Sequence, residues 1–433
     1  MIMDNIKASY KLKASDNTLL EASSCKVSFD QERLTVSSQF GQPIYITLRD
    51  MMDVTEEDYH IYITLMDGST LIIHDLGYKH DDFFRQCLKI RNTIILKDML
   101  AEETLIKSGV NADIKVIKDQ QETEVIPACE LRLYESALII FSSLKAPIRI
   151  LYCDMEEIFT SDYEININTD TNETYVIAKL GKKFEAFTRA FSKMHNEVLL
   201  RAQTLLKALL PGVSPLIIRE ASQHLKDGKA AKKTTLDDIS PILWQELEEK
   251  LELIGVKEDY DFLKDFAESK KMCMGIKRGL LGDMTGEYLW FLFPIYHQDN
   301  KIPGNVIAME AMNTEGKSQA TYFFKMMSRK TYAKKQSKDV LDQQADWFLD
   351  RINRCMLAIN FRREPIYLSE EKLNDPRYEK YKTSIALIPE LRDLRDAFIG
   401  RVIHGSLAQW QKDVLALLKF NVQSKVDKEK WEK

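Results

Sequence analysis

Residues 59–77 read YHIYITLMDGSTLIIHDLG, and residues 163–181 read YEININTDTNETYVIAKLG. Each is a pair of short runs in which apolar and polar side chains alternate around a polar turn, closing on the same Leu-Gly. The offset of 104 persists outwards: Cys25 falls on Cys129, Pro43 on Pro147, Asp50 on Asp154, Arg85 on Arg189 and Asn92 on Asn196. About 22 of the roughly 72 positions from Cys25 to Leu96 recur without a gap. Self-similarity at a fixed period marks an internal duplication. One structural unit is written twice.

In the first copy, residues 19–29 and 33–38 flank the polar turn Asp30-Gln31-Glu32, and residues 43–48 alternate around Ile44 and Ile46. Tyr59, Ile61, Ile63 and Leu65 predict the next strand, Asp67-Gly68 a tight hairpin, and residues 70–76 the returning strand. After Gly77 the period changes. Phe83, Phe84, Cys87, Leu88, Ile94 and Ile95 recur at three-to-four spacing, with Asp81 and Asp82 where a helix dipole favours carboxylates. The pattern predicts an antiparallel meander closed by a helix of roughly 20 residues. A small curved sheet leaves one end of its core open, and an apolar helix face can close it.

This order, with the runs PIYITLRDMMDV and YHIYITLMDGSTLIIHDL before the helix, resembles a pleckstrin-homology-like (PH-like) domain of the bacterial type. The resemblance covers 1–105 and, through the repeat, 115–208. It implies a seven-stranded bent sheet capped by a C-terminal helix. Two features depart from the eukaryotic family. Residues 1–210 contain no Trp, so Phe83 and Phe84, or Phe187, stand where its capping-helix Trp is common. The basic motif of phosphoinositide binders is also missing: the first hairpins are Asp30-Gln31-Glu32 and Tyr134-Glu135-Ser136, whose carboxylates repel a phosphorylated headgroup. The resemblance implies the fold rather than lipid recognition.

In the second copy Leu131, Leu133, Leu138, Ile140, Ile148 and Ile150 repeat the core pattern, and Asp170-Thr171-Asn172 replaces Asp67-Gly68. Its helix runs to about Leu206, short of Pro211-Gly212. Surface positions differ: Glu130 stands against Lys26, and Ala178 against His74. Beyond it, Pro215–His224 reads as a helix and Asp227 to Lys233 as a solvated tip. Asp238 is placed to cap a helix at 241–253, and another is expected at 260–270. Four strands follow, at 272–281, 287–297, 305–312 and 320–327, the second apolar enough to be covered on both faces. Helices are expected at 340–359, 376–404 and 406–421, then a charged tail. The fold class expected is α+β: PH-like modules at 1–110 and 115–210, a helical connector at 211–270, and an α+β region at 271–433 that could be a third, diverged copy.

Bulk composition narrows the function classes. Across 433 residues, 45% are hydrophobic and 29% charged, ordinary for globular chains, and the net charge of −5 gives no general drive towards nucleic acid or anionic membrane. No apolar run of about 18 residues offers a transmembrane segment, and the N-terminus lacks the apolar core of a signal peptide. The expectation is a cytoplasmic protein. Cys25, Cys87, Cys129, Cys153, Cys273 and Cys355 include no C-x-x-C pair and read as reduced, buried thiols. Asn172-Glu173-Thr174 matches a glycosylation acceptor, which without a secretory signal has no meaning.

Few motifs carry chemistry. Gly316-Lys317-Ser318 lacks the earlier glycine of a phosphate loop, since Ala311 occupies that position; it reads as a hairpin turn. Gly275, Gly279, Gly282 and Gly286 fit no phosphate-binding spacing and read as strand ends or bulges. The histidines (60, 74, 80, 195, 224, 297 and 404) show no H-x-x-x-H or H-E-x-x-H pattern. Cys273 and His297 could form a nucleophile pair only if strands faced them, and cysteine on an apolar strand is usually core. The remaining constellation is basic: Lys325, Arg329, Lys330, Lys334, Lys335 and Lys338, with Tyr332 among them, able to contact phosphates or an acidic partner.

The function expected is therefore a non-catalytic interaction or scaffolding protein with a protein partner, requiring no cofactor or metal. One alternative is peripheral binding to anionic membrane or nucleic acid through 325–338. Another is an enzyme of unstated class in the C-terminal region.

Overall fold

A computed structural model describes residues 3–39, 41–98, 103–119, 121–279, 286–315 and 319–419. The chain is α+β and divides into two units, residues 1–192 with 379–387 and residues 193–378 with 388–433.

In the first unit the alternating runs become strands β1 (Met3–Lys13), β2 (Leu19–Phe29), β3 (Arg33–Ser38), β4 (Ile44–Thr47), β5 (Met51–Glu57), β6 (His60–Leu65) and β7 (Thr70–His74), followed by helix α1 (His80–Asp98). The second copy gives β8 (Leu105–Lys118), β9 (Gln121–Tyr134), β10 (Ala137–Phe141), β11 (Ile148–Leu151), β12 (Met155–Ser161), β13 (Glu164–Thr169) and β14 (Glu173–Ala178), followed by α2 (Phe184–Leu209). The sheet orders are β4-β3-β2-β1-β7-β6-β5 and β11-β10-β9-β8-β14-β13-β12, the same permutation. Residues 25–96 and 129–200 thus have like topology.

Turn chemistry is shared as well. Asp58 and Tyr59 have φ of 48° and 60°, and Asp162 and Tyr163 have 49° and 62°, so both β5–β6 and β12–β13 close through two left-handed residues. Such turns match the twist of an antiparallel pair. Inward-facing Val27, Leu34, Ile61, Ile63, Leu71 and Ile73 pack with Phe83, Cys87 and Leu88 of α1 in the first module. Leu131, Leu138, Ile165, Ile167 and Ile177 are buried in the second, as are Phe187 and Phe191 of α2.

The copies differ where one packs on the other. β3 alternates exposed and buried residues, whereas all five residues of β10 are buried. Ile139 and Phe141, the counterparts of Thr35 and Ser37, cluster with Leu96 of α1. Beside them, fully buried Asn92 donates hydrogen bonds to the carbonyls of Ser142 (3.0 Å) and Lys145 (2.7 Å). The outer face of β10 is apolar because it is covered. Helix Glu379–Leu387 completes this unit: Ser384 Oγ donates to the Asp98 carbonyl at 2.8 Å, and Arg49 Nε lies 2.6 Å from Asp98 Oδ2.

The second unit is built on six antiparallel strands in sequential order: β15 (Ala231–Lys232), β16 (Cys273–Gly279), β17 (Gly286–Ile295), β18 (Val306–Asn313), β19 (Ala320–Lys325) and β20 (Phe398–Ile403). Ile276, Phe291, Phe293, Ala308 and Phe323 share one core with Leu236, Trp244, Leu247, Leu263 and Trp410. On the other face Trp290 meets Phe361, and Phe324 meets Phe348 of helix Lys338–Ala358. The strand expected to be covered on both faces, β17, is buried from Leu289 to Ile295.

Several sequence expectations are corrected here. The sequential strand order differs from that of the duplicated modules, so the third sheet is not a further copy of that topology. Segment 211–270, expected as a helical connector, packs into this core through Ile218, Leu236, Trp244, Leu247 and Leu263. Asp227 to Lys233 is not a solvated tip. Asp227 is buried against Lys277, Gly228 takes φ +84° close to Leu357 and Phe361, and Ala231–Lys232 pairs with β16. Asp238 lies inside helix Lys233–Ile239 instead of capping the next one. Residues 376–404 are not one helix. Pro389 starts a new helix to Ala397, and Phe398–Ile403 pairs with β19, hydrogen-bonding an apolar edge that would otherwise stand open.

Candidate functional site

Strand β18 runs Val306-Ile307-Ala308-Met309-Glu310-Ala311-Met312, and its single carboxylate points into the core shared by Val306, Ala308 and Met312. Glu310 is 1% exposed, so its charge requires partners. Thr321 on β19 donates to Glu310 Oε2 at 2.6 Å, and Trp410 Nε1 donates to Thr321 Oγ1 at 2.9 Å. His404, just past β20, sets Nε2 3.0 Å from Glu310 Oε1 and Nδ1 3.2 Å from Asp259 Oδ2. Its ring stacks on Trp410 at 4.7 Å.

Burial is the largest single influence on His404 and opposes its charge. The hydrogen bonds to Asp259 and Glu310, with their charges, together outweigh it and push the imidazole up to about 9. At neutral pH the ring is therefore a cation with both nitrogens engaged and no lone pair to accept a proton. Thr321, the adjacent hydroxyl, already donates to Glu310. The arrangement can hold β18, β20 and helix Lys257–Lys264 together; as placed, its imidazolium has no lone pair with which to act as a base.

A second charged site lies at β16. Lys277 and Asp227 are both buried and 3.4 Å apart, and the Arg278 amide donates to Asp227 Oδ1 at 2.8 Å. A cleft of about 410 Å³ opens beside them, lined by Glu197, Arg201, Asp227, Arg278 and Glu287. Acidic and basic groups alternate along it, which favours no single ligand charge.

The basic stretch spans a strand end, a short helix and the start of a long helix. Lys325 ends β19, Arg329 and Lys330 start the short helix Arg329–Tyr332, and Lys338 ion-pairs with Glu268 at 3.0 Å. Tyr332 is not a surface aromatic: it is buried, its hydroxyl accepting from the His297 amide and donating to the His297 carbonyl, each at 2.8 Å. Lys330, Lys334 and Lys335 are exposed. The constellation reduces to a few lysines around a structural tyrosine.

Cys273 and His297 do not form a nucleophile pair. Cys273 Sγ donates to the Lys271 carbonyl at 3.4 Å, and burial pushes its thiol up to about 12. Cys25, Cys87 and Cys129 are likewise raised by burial. Gly275 has a packing role, since a Cβ there would clash with the Trp290 indole. Gly282 and Gly316-Lys317-Ser318 lie outside the described residues. Sequence reading missed Asp259, Glu310 and His404. The available signal was Glu310, a charge inside an apolar strand.

No family model matches this chain, and no curated protein matches it.

Proposed function

We propose that this is a non-catalytic binding protein built on two tandem PH-like modules, each able to take an extended peptide along an open sheet edge. The observation that carries the reading is the shared strand order, which places β5 and β12 at corresponding ends of their sheets, with the Met51 and Met52 carbonyls of β5 already accepting from Arg91. An unpaired edge presents a row of amides and carbonyls to which a peptide strand can add. Of the two, β12 fits better: all but two of its seven residues are exposed, and Phe159, 45% exposed, stands where β5 has Thr55. Glu156 and Glu157 on the same strand favour a peptide carrying basic side chains. The locked His404 network and the buried thiols fit this reading better than an enzyme.

The test is selection of peptides on the full chain from a displayed random library, followed by hydrogen exchange on the complex. Slowed exchange along β12 or β5 supports the proposal. Slowed exchange confined to residues 193–433, or no selected peptide, overturns it.

A further inference from the structure

Three of the seven histidines, His60, His74 and His80, fall in the first module near one hairpin end, and none recurs in the second copy. Their counterparts are Glu164, Ala178 and Phe184. The backbone there is conserved between the copies: Asp58-Tyr59 and Asp162-Tyr163 share the same left-handed turn, and Asp75 and Lys179 have φ of 62° and 61°. Only the side chains changed.

His60 begins β6 and His74 ends β7, adjacent antiparallel strands whose register Ile61↔Ile73 brings the two residues opposite one another. Their rings lie 5.0 Å apart, tilted by 31°. Each Nδ1 already faces an oxygen: His60 Nδ1 is 2.8 Å from the Asp58 carbonyl, and His74 Nδ1 is 3.0 Å from Asp75 Oδ2. A carbonyl can only accept, so Nδ1 of His60 carries the proton, and the neutral ring's lone pair sits on Nε2. Asp75 does the same for His74, its carboxylate accepting from Nδ1. Imidazoles with Nδ1–H tied to a carbonyl or carboxylate are the usual second-shell arrangement of metal-bound histidine. Glu57, paired with His60 across β5–β6, extends this row by a further carboxylate position.

We propose that His60 and His74 bind a late first-row divalent cation, of the zinc, nickel or copper class, through their two Nε2 atoms. Neutral imidazole pairs suit these ions, whereas calcium and magnesium demand oxygen ligands. Water, or the Glu57 carboxylate, completes the coordination. A second group in the same module, Glu56, His80 and Asp81, has ligand atoms within 4.8 Å of one another. Of its two carboxylates, Asp81 sits in the first turn of α1, where the helix dipole accounts for it, and Glu56 lies on β5, so the group serves as the competing location.

The experiment uses the untagged full chain, titrated calorimetrically with ZnCl₂ and NiCl₂ and passed over immobilised Ni²⁺. One ion per chain is expected, with at least about tenfold weaker binding in His60→Ala and in His74→Ala, since even second-shell losses reach that size. His80→Ala should bind as the parent does. Both histidines at the pair are surface-accessible, and far-ultraviolet circular dichroism verifies that the variants fold. A converse test places Glu164→His, Ala178→His and Lys179→Asp in the second copy of a His60→Ala/His74→Ala chain, which should restore binding. Absence of binding in the parent overturns the proposal. So does loss of binding in His80→Ala with retention in both His60→Ala and His74→Ala.

Discussion

Replacing His404 by alanine removes the imidazolium that bridges Asp259 and the buried Glu310. The folded ring sits at about 9 against 6.5 for the free side chain. Each unit is about 1.4 kcal/mol, so the proton contributes roughly 3 kcal/mol, nearer 2 after screening through the partly accessible edge. Breaking a buried pair from one side leaves an uncompensated charge, which raises the expected loss for His404→Ala to about 3–5 kcal/mol at neutral pH. In His404→Ala/Glu310→Gln the orphaned charge is gone while the acceptor for Thr321 remains. The double variant should recover at least about 1.5 kcal/mol. Because the folded value is raised, the contribution is fully present below about pH 6.5 and disappears as pH rises through about 9. The gap between parent and His404→Ala should therefore narrow from pH 7 to pH 10. Urea unfolding followed by tryptophan fluorescence is the assay, since every Trp lies in residues 193–433 and the signal reports the second unit alone. A loss under about 1 kcal/mol, a pH-independent gap, or a double variant no better than the single one would refute the reasoning.

The duplication supplies internal controls for two of three further predictions. Asn92→Ala, which strips donors from the buried Ser142 carbonyl and the partly buried Lys145 carbonyl, should destabilise the first unit by about 2–3 kcal/mol, whereas Asn196→Ala, at the matching exposed position, should stay within about 0.5 kcal/mol; hydrogen exchange of the sheet amides measures both. Ile139→Thr, which installs the first copy's residue, should cost about 2–3 kcal/mol by the same measurement, because Ile139 is wholly buried. The thiols are all buried, so a disulfide-exchange reagent should label the native chain slowly and label six cysteines per chain only in denaturant.

Period-two and period-3.6 patterning made the duplicated sheets legible, because a half-buried strand or helix must alternate its chemistry to bury one face. The strands missed, β1, β5, β8 and β12, are those whose outer residues are exposed and whose turns, such as Asp58-Tyr59, lack the Asn-Gly signal. Asp227 to Lys233 and residues 398–403 were misread for a different reason: a lysine-rich or mixed run becomes a strand when a sheet edge needs its backbone donors and acceptors. Even so, the covered face of β10 was written in the chain, since Ala-Leu-Ile-Ile-Phe stands at the same 104-residue offset where the first copy has Arg-Leu-Thr-Val-Ser.

The amino-acid sequence alone determined that a strand-and-lid-helix module occurs twice, because local periodicity and repetition survive without any knowledge of contacts. Tertiary structure alone decided which charges meet. Asp259, Glu310 and His404 are separated by 51 and 94 positions, and His60 and His74 by 14. Their chemistry depends on distances of a few ångströms, which only the paired strands bring about.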